Sequence, residues 1–246
     1  MAPYTVQILI PRAVQIEPLA LLRRMRAWRS DVGLVRGDGR LTFRIPTNDL
    51  PLLVSVFEAA PEAYAAPLCD ALTWTPWWHE RWDDIAARCP ASIIVEMQVQ
   101  RPIHYASMLL AFLATLDAVL ASLDEEDHHG AVLHWIPAQQ LLTLERYRAL
   151  RIDHGPCGPA VNVRIANATG RPGELLADTV GLAELGLPDL QLAFRGRDPG
   201  EVMLRLRLMV RSMFVGDRLE CGWIEEASFF PPERDALTLQ LDELAC

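Results

Sequence analysis

Residues 92–123 read SIIVEMQVQRPIHYASMLLAFLATLDAVLASL. The first eight are rich in β-branched side chains and predict a strand over 92–99. The apolar stretch 103–123 is long enough to span a bilayer. His104, Ser107, Thr115 and Asp117 interrupt it, however, and an aspartate is costly in hydrocarbon, so the stretch predicts a buried core helix. A strand followed at once by a buried helix points to a sheet protein with packed helices.

Working upstream, 6–10 is an apolar run ended by Pro11 and predicts a strand. Leu19, Leu22, Met25 and Trp28 recur every three residues and predict a helix over 17–28. Asp38-Gly39 lies between the apolar stretches 34–35 and 41–45, a hairpin signal. Residues 52–57 predict another strand. Thr75-Pro76 reads as a helix start, with threonine as N-cap and proline in the first turn. Trp78, Trp82, Ile85 and Cys89 would then share one stripe.

Downstream, 124–130 (DEEDHHG) reads as a turn, 132–136 as a strand and 137–150 as a helix. The stretch 151–159, RIDHGPCGP, is loop chemistry and the best boundary. It predicts subdomains 1–152 and 153–246 fused into one compact unit. Residues 161–166 and 187–194 predict strands. In EVMLRLRLMVRSMFV (201–215) the apolar residues alternate as in a strand. The flanks favour a helix: Asp198-Pro199-Gly200-Glu201 supplies a cap and first turn, and Gly216 a stop. A strand over 219–224 and an irregular arm closing on a short strand or helix complete the chain. The pattern predicts an α+β fold of mixed sheets with helices packed on one side, and two ferredoxin-like halves fit it.

The 246 residues carry a net charge of −9. Residues 1–123 hold 12 acids and 11 arginines; residues 124–246 hold 20 acids and 12 arginines. This acidic balance disfavours nucleic acid and anionic lipid and favours a basic protein partner. Every basic residue is arginine, which excludes Schiff-base lysine chemistry and P-loop phosphate binding. Five cysteines without CxxC spacing are not a disulfide framework. With no basic, apolar leader at the N-terminus, the cytosol is the expected compartment.

No GxSxG elbow, strand-linked GxGxxG, HExxH or deaminase signature occurs, so no cofactor and no metal are expected. Asp153, His154 and Cys157 form a ligand-like set in the predicted loop, and an enzyme site near His154 and Cys157 stays open as an alternative. Glu80, Asp83 and Asp84 share an outward helical face, with Arg81 and Arg88 close enough to neutralise them. Asp124, Glu125, Glu126 and Asp127 are expected at a helix C-terminus, where the dipole disfavours acids, which marks them as candidates for binding. Trp74, Trp77, Trp78 and Trp82 fall within nine residues. Trp74 and Trp77 cannot share the core stripe and become candidate anchors for a partner.

The segment 179–190, TVGLAELGLPDL, resembles the short threonine–glycine–leucine and glycine–acid signature of the DUF4261 family. The Trp74–Trp82 region, the strand 92–99, the long helix and the His134-Trp135 strand come in that family's order. The resemblance spans roughly residues 5–227. It implies no catalytic residue, and in size and acidity it is similar to immunity proteins encoded beside bacterial and type VI toxins. Independently of it, Gly181 and Gly186 read as turn positions with positive φ, and Asp189 as a loop-bonding residue. The expected function is non-enzymatic protein binding: a toxin or effector domain covered by Asp124 to Asp127, Glu225, Glu226, Trp74 and Trp77. A structural or assembly role is the other expectation.

Overall fold

The computed structural model describes residues 3–47, 50–75, 77–98, 105–168, 172–216 and 236–239. The chain divides into two units, 1–149 and 150–246. The fold is α+β, as the sequence predicts.

In the first unit, β1 (Tyr4–Ile10) leads into α1 (Pro18–Trp28), whose first turn is capped by the Glu17 carboxylate accepting from Ala20 N. The hairpin β2 (Gly33–Gly37) and β3 (Arg40–Ile45) follows, then β4 (Leu52–Ala59). Asp38 and Gly39 have φ of 50° and 72°, the left-handed pair that a two-residue hairpin turn requires. A 3-10 turn, Pro61–Tyr64, leads to α2 (Ala65–Thr73) and α3 (Trp82–Arg88), then β5 (Ala91–Met97). The long helix α4 (Tyr105–Leu120) and the short α5 (Glu125–Gly130) precede β6 (Val132–Trp135) and β7 (Gln140–Thr143). The helix α6 (Leu144–His154) carries the chain into the second unit.

The seven strands form one sheet in the order β2-β3-β4-β5-β1-β6-β7, with every neighbouring pair antiparallel. Within it, β1-α1-β4-β5-α4-β6 has the spatial order β4-β5-β1-β6. This is the ferredoxin-like split arrangement, widened by the β2–β3 hairpin on one side and by β7 on the other.

Side chains alternate across β1, so its two faces can be followed separately. Tyr4 meets Phe112 of α4 edge-on at 4.9 Å, and Trp135 Nε1 donates to Tyr4 Oη at 3.0 Å. This face packs on α4, beside which α1 lies. The opposite face carries Gln7 and Leu9. Leu9, Val132 and Leu141 pack there with Leu68 and Ala71 of α2 and Ile85 of α3. The predicted single helical layer therefore holds for α1 and α4, while α2 and α3 cover the other face. That second cover is why all seven residues of β1 are buried.

α4 buries residues on most of its circumference, including Leu109, Phe112, Leu116 and Val119. Each such side chain contributes ~1.5–3 kcal/mol relative to exposure. Its Asp117 accepts a 2.5 Å hydrogen bond from Tyr147 Oη. Among the described residues no helix is long and apolar enough to cross a membrane.

The second unit comprises α7 (Cys157–Ala160), β8 (Asn162–Asn167), β9 (Leu175–Val180), β10 (Asp189–Phe194), α8 (Pro199–Val215) and β11 (Ala236–Leu239). Its sheet runs β11-β10-β9-β8; β8, β9 and β10 are antiparallel, and β11 joins parallel to β10 after the α8 crossover. That is a meander closed by a βαβ unit, a different order from the ferredoxin-like one. The flank-based reading of α8 is correct: Asp198 accepts from Glu201 N, Pro199 opens the helix, and Gly216 closes it at φ 82°. Gly181 and Gly186 have φ of 116° and 79°. Asp189 Oδ1 accepts from Leu182 N and Thr179 Oγ1, both at 3.1 Å, and so ties the turn between β9 and β10.

Three local expectations change. Thr75 does not cap a helix. It is fully buried, and its Oγ1 accepts from Leu141 N at 3.1 Å, fastening the stretch before α3 to β7. The predicted helix 137–150 is a tight turn with Gln139 at φ 49°, then β7, then α6. The predicted loop 151–159 contains the end of α6 and the start of α7. The expected strand 219–224 lies outside the described residues.

Candidate functional site

One end of the seven-stranded sheet gathers most of the candidate residues. The register places Ile10 opposite Ala91, Ala59 and Leu9 opposite Ser92, Val132 opposite Leu9, and Thr143 opposite Val132. The ends of β1, β4 and β7 and the beginnings of β5 and β6 thus share one edge of the sheet.

On the β6 side of that edge stands α5. The sequence puts Asp124 to Asp127 after the long helix, where the dipole opposes them. The structure ends α4 at Leu120 and starts a new helix, whose N-cap is Asp124, accepting from Asp127 N at 3.0 Å. The acids therefore sit at an N-terminus, where the dipole favours them. Arg12, just beyond β1, pairs with Asp124, with Glu126 at 3.6 Å and with Asp127 at 3.0 Å. Asp127 is 2% exposed, which removes it from the partner-binding set: its carboxylate faces Arg12, not solvent. Glu125 and Glu126 remain exposed, with Glu126 held by Arg12 only at long range.

On the β4–β5 side the chain opens into a cleft of about 500 Å³. It is lined by Ile10, Ala13 and Val14, by residues 58–62 and by residues 90–93. Glu58 and Glu62 line it, both exposed, with Ala13, Val14 and Ala60 supplying apolar surface. Among the described residues the lining holds no basic side chain. Ser92 Oγ also lines it, but donates to Ala59 O at 2.8 Å and accepts from Gln7 Nε2 at 3.3 Å. It is therefore a strut between strands rather than a poised nucleophile.

Behind this end lies a buried polar network. Gln7 Nε2 donates to Pro61 O at 2.9 Å, fixing the 3-10 turn over the sheet. Gln7 Oε1 lies 3.3 Å from His134 Nδ1. An amide oxygen only accepts, so Nδ1 carries the proton. His134 is fully buried, its Nε2 has no hydrogen-bond partner among the described residues, and burial pushes its pKa down to about 4. It is held neutral, in the core of the cover that α2 forms.

The tryptophans divide as predicted in part. Trp78 and Trp82 pack on the core against α2 and α3. Trp77 is 37% exposed, with the Arg146 guanidinium 5.9 Å from its ring centre. Arg146 begins α6 beside Thr143, so Trp77 flanks β7. Trp74 is half-buried at the end of α2. Glu80 pairs with Arg88 at 2.8 Å and Asp83 with Arg81 at 3.6 Å, as the sequence indicates. Glu225 and Glu226 lie outside the described residues.

The His154–Cys157 alternative takes a definite form. Cys157 is buried at the start of α7, and its thiol donates to the backbone carbonyl of His154 at 3.3 Å. The adjoining cavity holds about 10 Å³. Burial raises the thiol's pKa, more than Arg211 and Arg207 lower it. A thiol held protonated and sealed from substrate is a poor nucleophile. Among the described residues no group of three or more His, Cys, Asp or Glu side chains is placed to hold a metal ion.

Arg12, Glu58 and Glu62 were not singled out from the sequence. Arg12 meets Asp124 across 112 residues, and Glu58 and Glu62 read as an ordinary strand end and turn. Only Pro11, which stops β1 and turns the chain across the sheet end, marks the place.

No family model matches the sequence, and no curated protein or solved structure matches the chain.

Proposed function

We propose that this chain is a non-enzymatic protein-binding protein. Its most concrete form is an immunity protein that covers the active site of a bacterial toxin or type VI effector. The observation that supports it is the acidic sheet end: Glu58 and Glu62 at a cleft, Glu125 and Glu126 on α5, and exposed Trp77 beside β7. Exposed acids steer a basic partner and set its orientation, while an aromatic anchor supplies buried area. Asp124 contributes less because Arg12 already holds it. The DUF4261-like signature bears on the second unit's β9–β10 turn, where its glycines and Asp189 are architectural.

The test is capture of a partner at low salt, followed by affinity measurements across a salt series. Reversing Glu125 and Glu126 to arginine is expected to weaken binding and flatten the salt dependence. A near-stoichiometric basic partner whose toxicity the chain suppresses supports the immunity form. An affinity and salt slope unchanged by the reversal would overturn the assignment of this surface.

A further inference from the structure

We infer that the cleft between residues 13–14 and 58–62 is a receptor for one basic side chain of the partner, an arginine whose guanidinium reaches Glu58 and Glu62 while its aliphatic stem lies along the apolar wall. This rests on the protein-binding reading and names the chemistry that reading leaves open.

Three observations converge on it. The cleft is large enough, about 500 Å³, for a side chain rather than a water molecule. Its surface has two characters. Ala13, Val14, Ala60 and Pro90 offer apolar area, whereas Glu58 and Glu62 add carboxylates to the lining. An arginine carries both characters, an apolar stem and a planar cation that carboxylates accept in bidentate fashion. Neither glutamate is occupied: among the described residues neither Glu58 nor Glu62 makes an ion pair, in contrast to Asp124, Asp127 and Glu80 nearby, each of which faces an arginine of the chain itself.

The walls are held independently of any ligand. Gln7 bonds Pro61 O, and Ser92 bonds Ala59 O, so the 58–62 wall is tied to the sheet by two buried side chains. Across the cleft, Arg12 ties segment 11–14 to α5, and Pro11 lies against Gly130, where an added Cβ would come within 2.3 Å of its ring. A pre-formed cleft avoids the ordering cost of binding.

The experiment uses the full chain and three probes followed by NMR. These are a blocked tripeptide with a central arginine, the same peptide with norleucine, and guanidinium alone. Saturable shifts at Ile93 and Ser92 with the arginine peptide, and none with norleucine, are expected. Glu58→Gln with Glu62→Gln should weaken that binding roughly tenfold. Both positions are exposed, and an unchanged spectrum elsewhere verifies the fold. Equal response to norleucine, shifts that map away from the cleft, or affinity indifferent to the double substitution would overturn the inference. The probes need no partner. Peptide binding without capture of a basic partner breaks the proposed function alone, and capture without peptide binding breaks the cleft assignment alone.

Discussion

The seven-stranded sheet buries a histidine by stripping it of charge, whereas the second sheet buries an arginine by giving it a carboxylate. His134 bonds to Gln7, and burial holds it neutral. Arg164 and Asp178 stand opposite each other on β8 and β9, 6% and 5% exposed, with Arg164 Nε 2.9 Å from Asp178 Oδ1 and a second guanidinium contact beside it. A titratable side chain can thus be hidden in two ways, and only the second needs a partner of opposite sign.

The charged solution should fail hardest when halved. Asp178→Ala takes from the buried guanidinium the carboxylate it faces on the neighbouring strand and should cost ~3–5 kcal/mol in chemical denaturation. Replacing both partners with apolar residues (Arg164→Met with Asp178→Leu) should restore most of that stability. If the double variant is as damaged as the single one, the pair does more than neutralise itself.

The neutral solution should fail with acid. The folded pKa of His134, about 4, lies below the ordinary 6.5. Between these values the unfolded chain takes up a proton that the folded chain refuses. His134 therefore costs nothing above pH 6.5, reduces stability as pH falls toward 4, and adds no further loss below. The slope approaches 1.4 kcal/mol per pH unit, and the total is roughly 3 kcal/mol. His134→Gln should remove that part of the pH dependence; an unchanged profile would mean the histidine already titrates freely.

Smaller effects sharpen the contrast. Thr75→Val leaves Leu141 N without its buried acceptor, and ~1–3 kcal/mol should be lost on denaturation. Arg12→Ala removes a half-exposed cation that faces buried Asp127 and should cost about 1–3 kcal/mol. It should also tighten capture of a basic partner by releasing the α5 acids, readable as a lower Kd at low salt.

Much of the fold was legible because its signals are local. The Asp38-Gly39 hairpin, the Asp198-to-Glu201 start of α8 and the Gly216 stop rest on backbone conformations that a few adjacent residues dictate. β7 was hidden inside an apparent helix because Gln140 to Thr143 becomes a strand only by pairing with β6, and the turn requires a left-handed Gln139. The α5 acids were found, but their setting was reversed. A turn and a one-and-a-half-turn helix differ there by a cap and by an arginine far along the chain. The helices α2 and α3 cover a face that β1's unbroken burial demands, yet the mostly apolar sequence of β1 is equally consistent with other covers.

The sequence by itself determined the class of fold, the hairpin and the caps, and the exclusion of lysine chemistry, because residue type and short-range periodicity suffice for these. Tertiary structure alone decided which acids are free. Arg12 claims Asp124 and Asp127, while Glu58 and Glu62 line a cleft in which no described residue is a cation, and such pairings depend on which distant segments the strand order brings to the same end of the sheet.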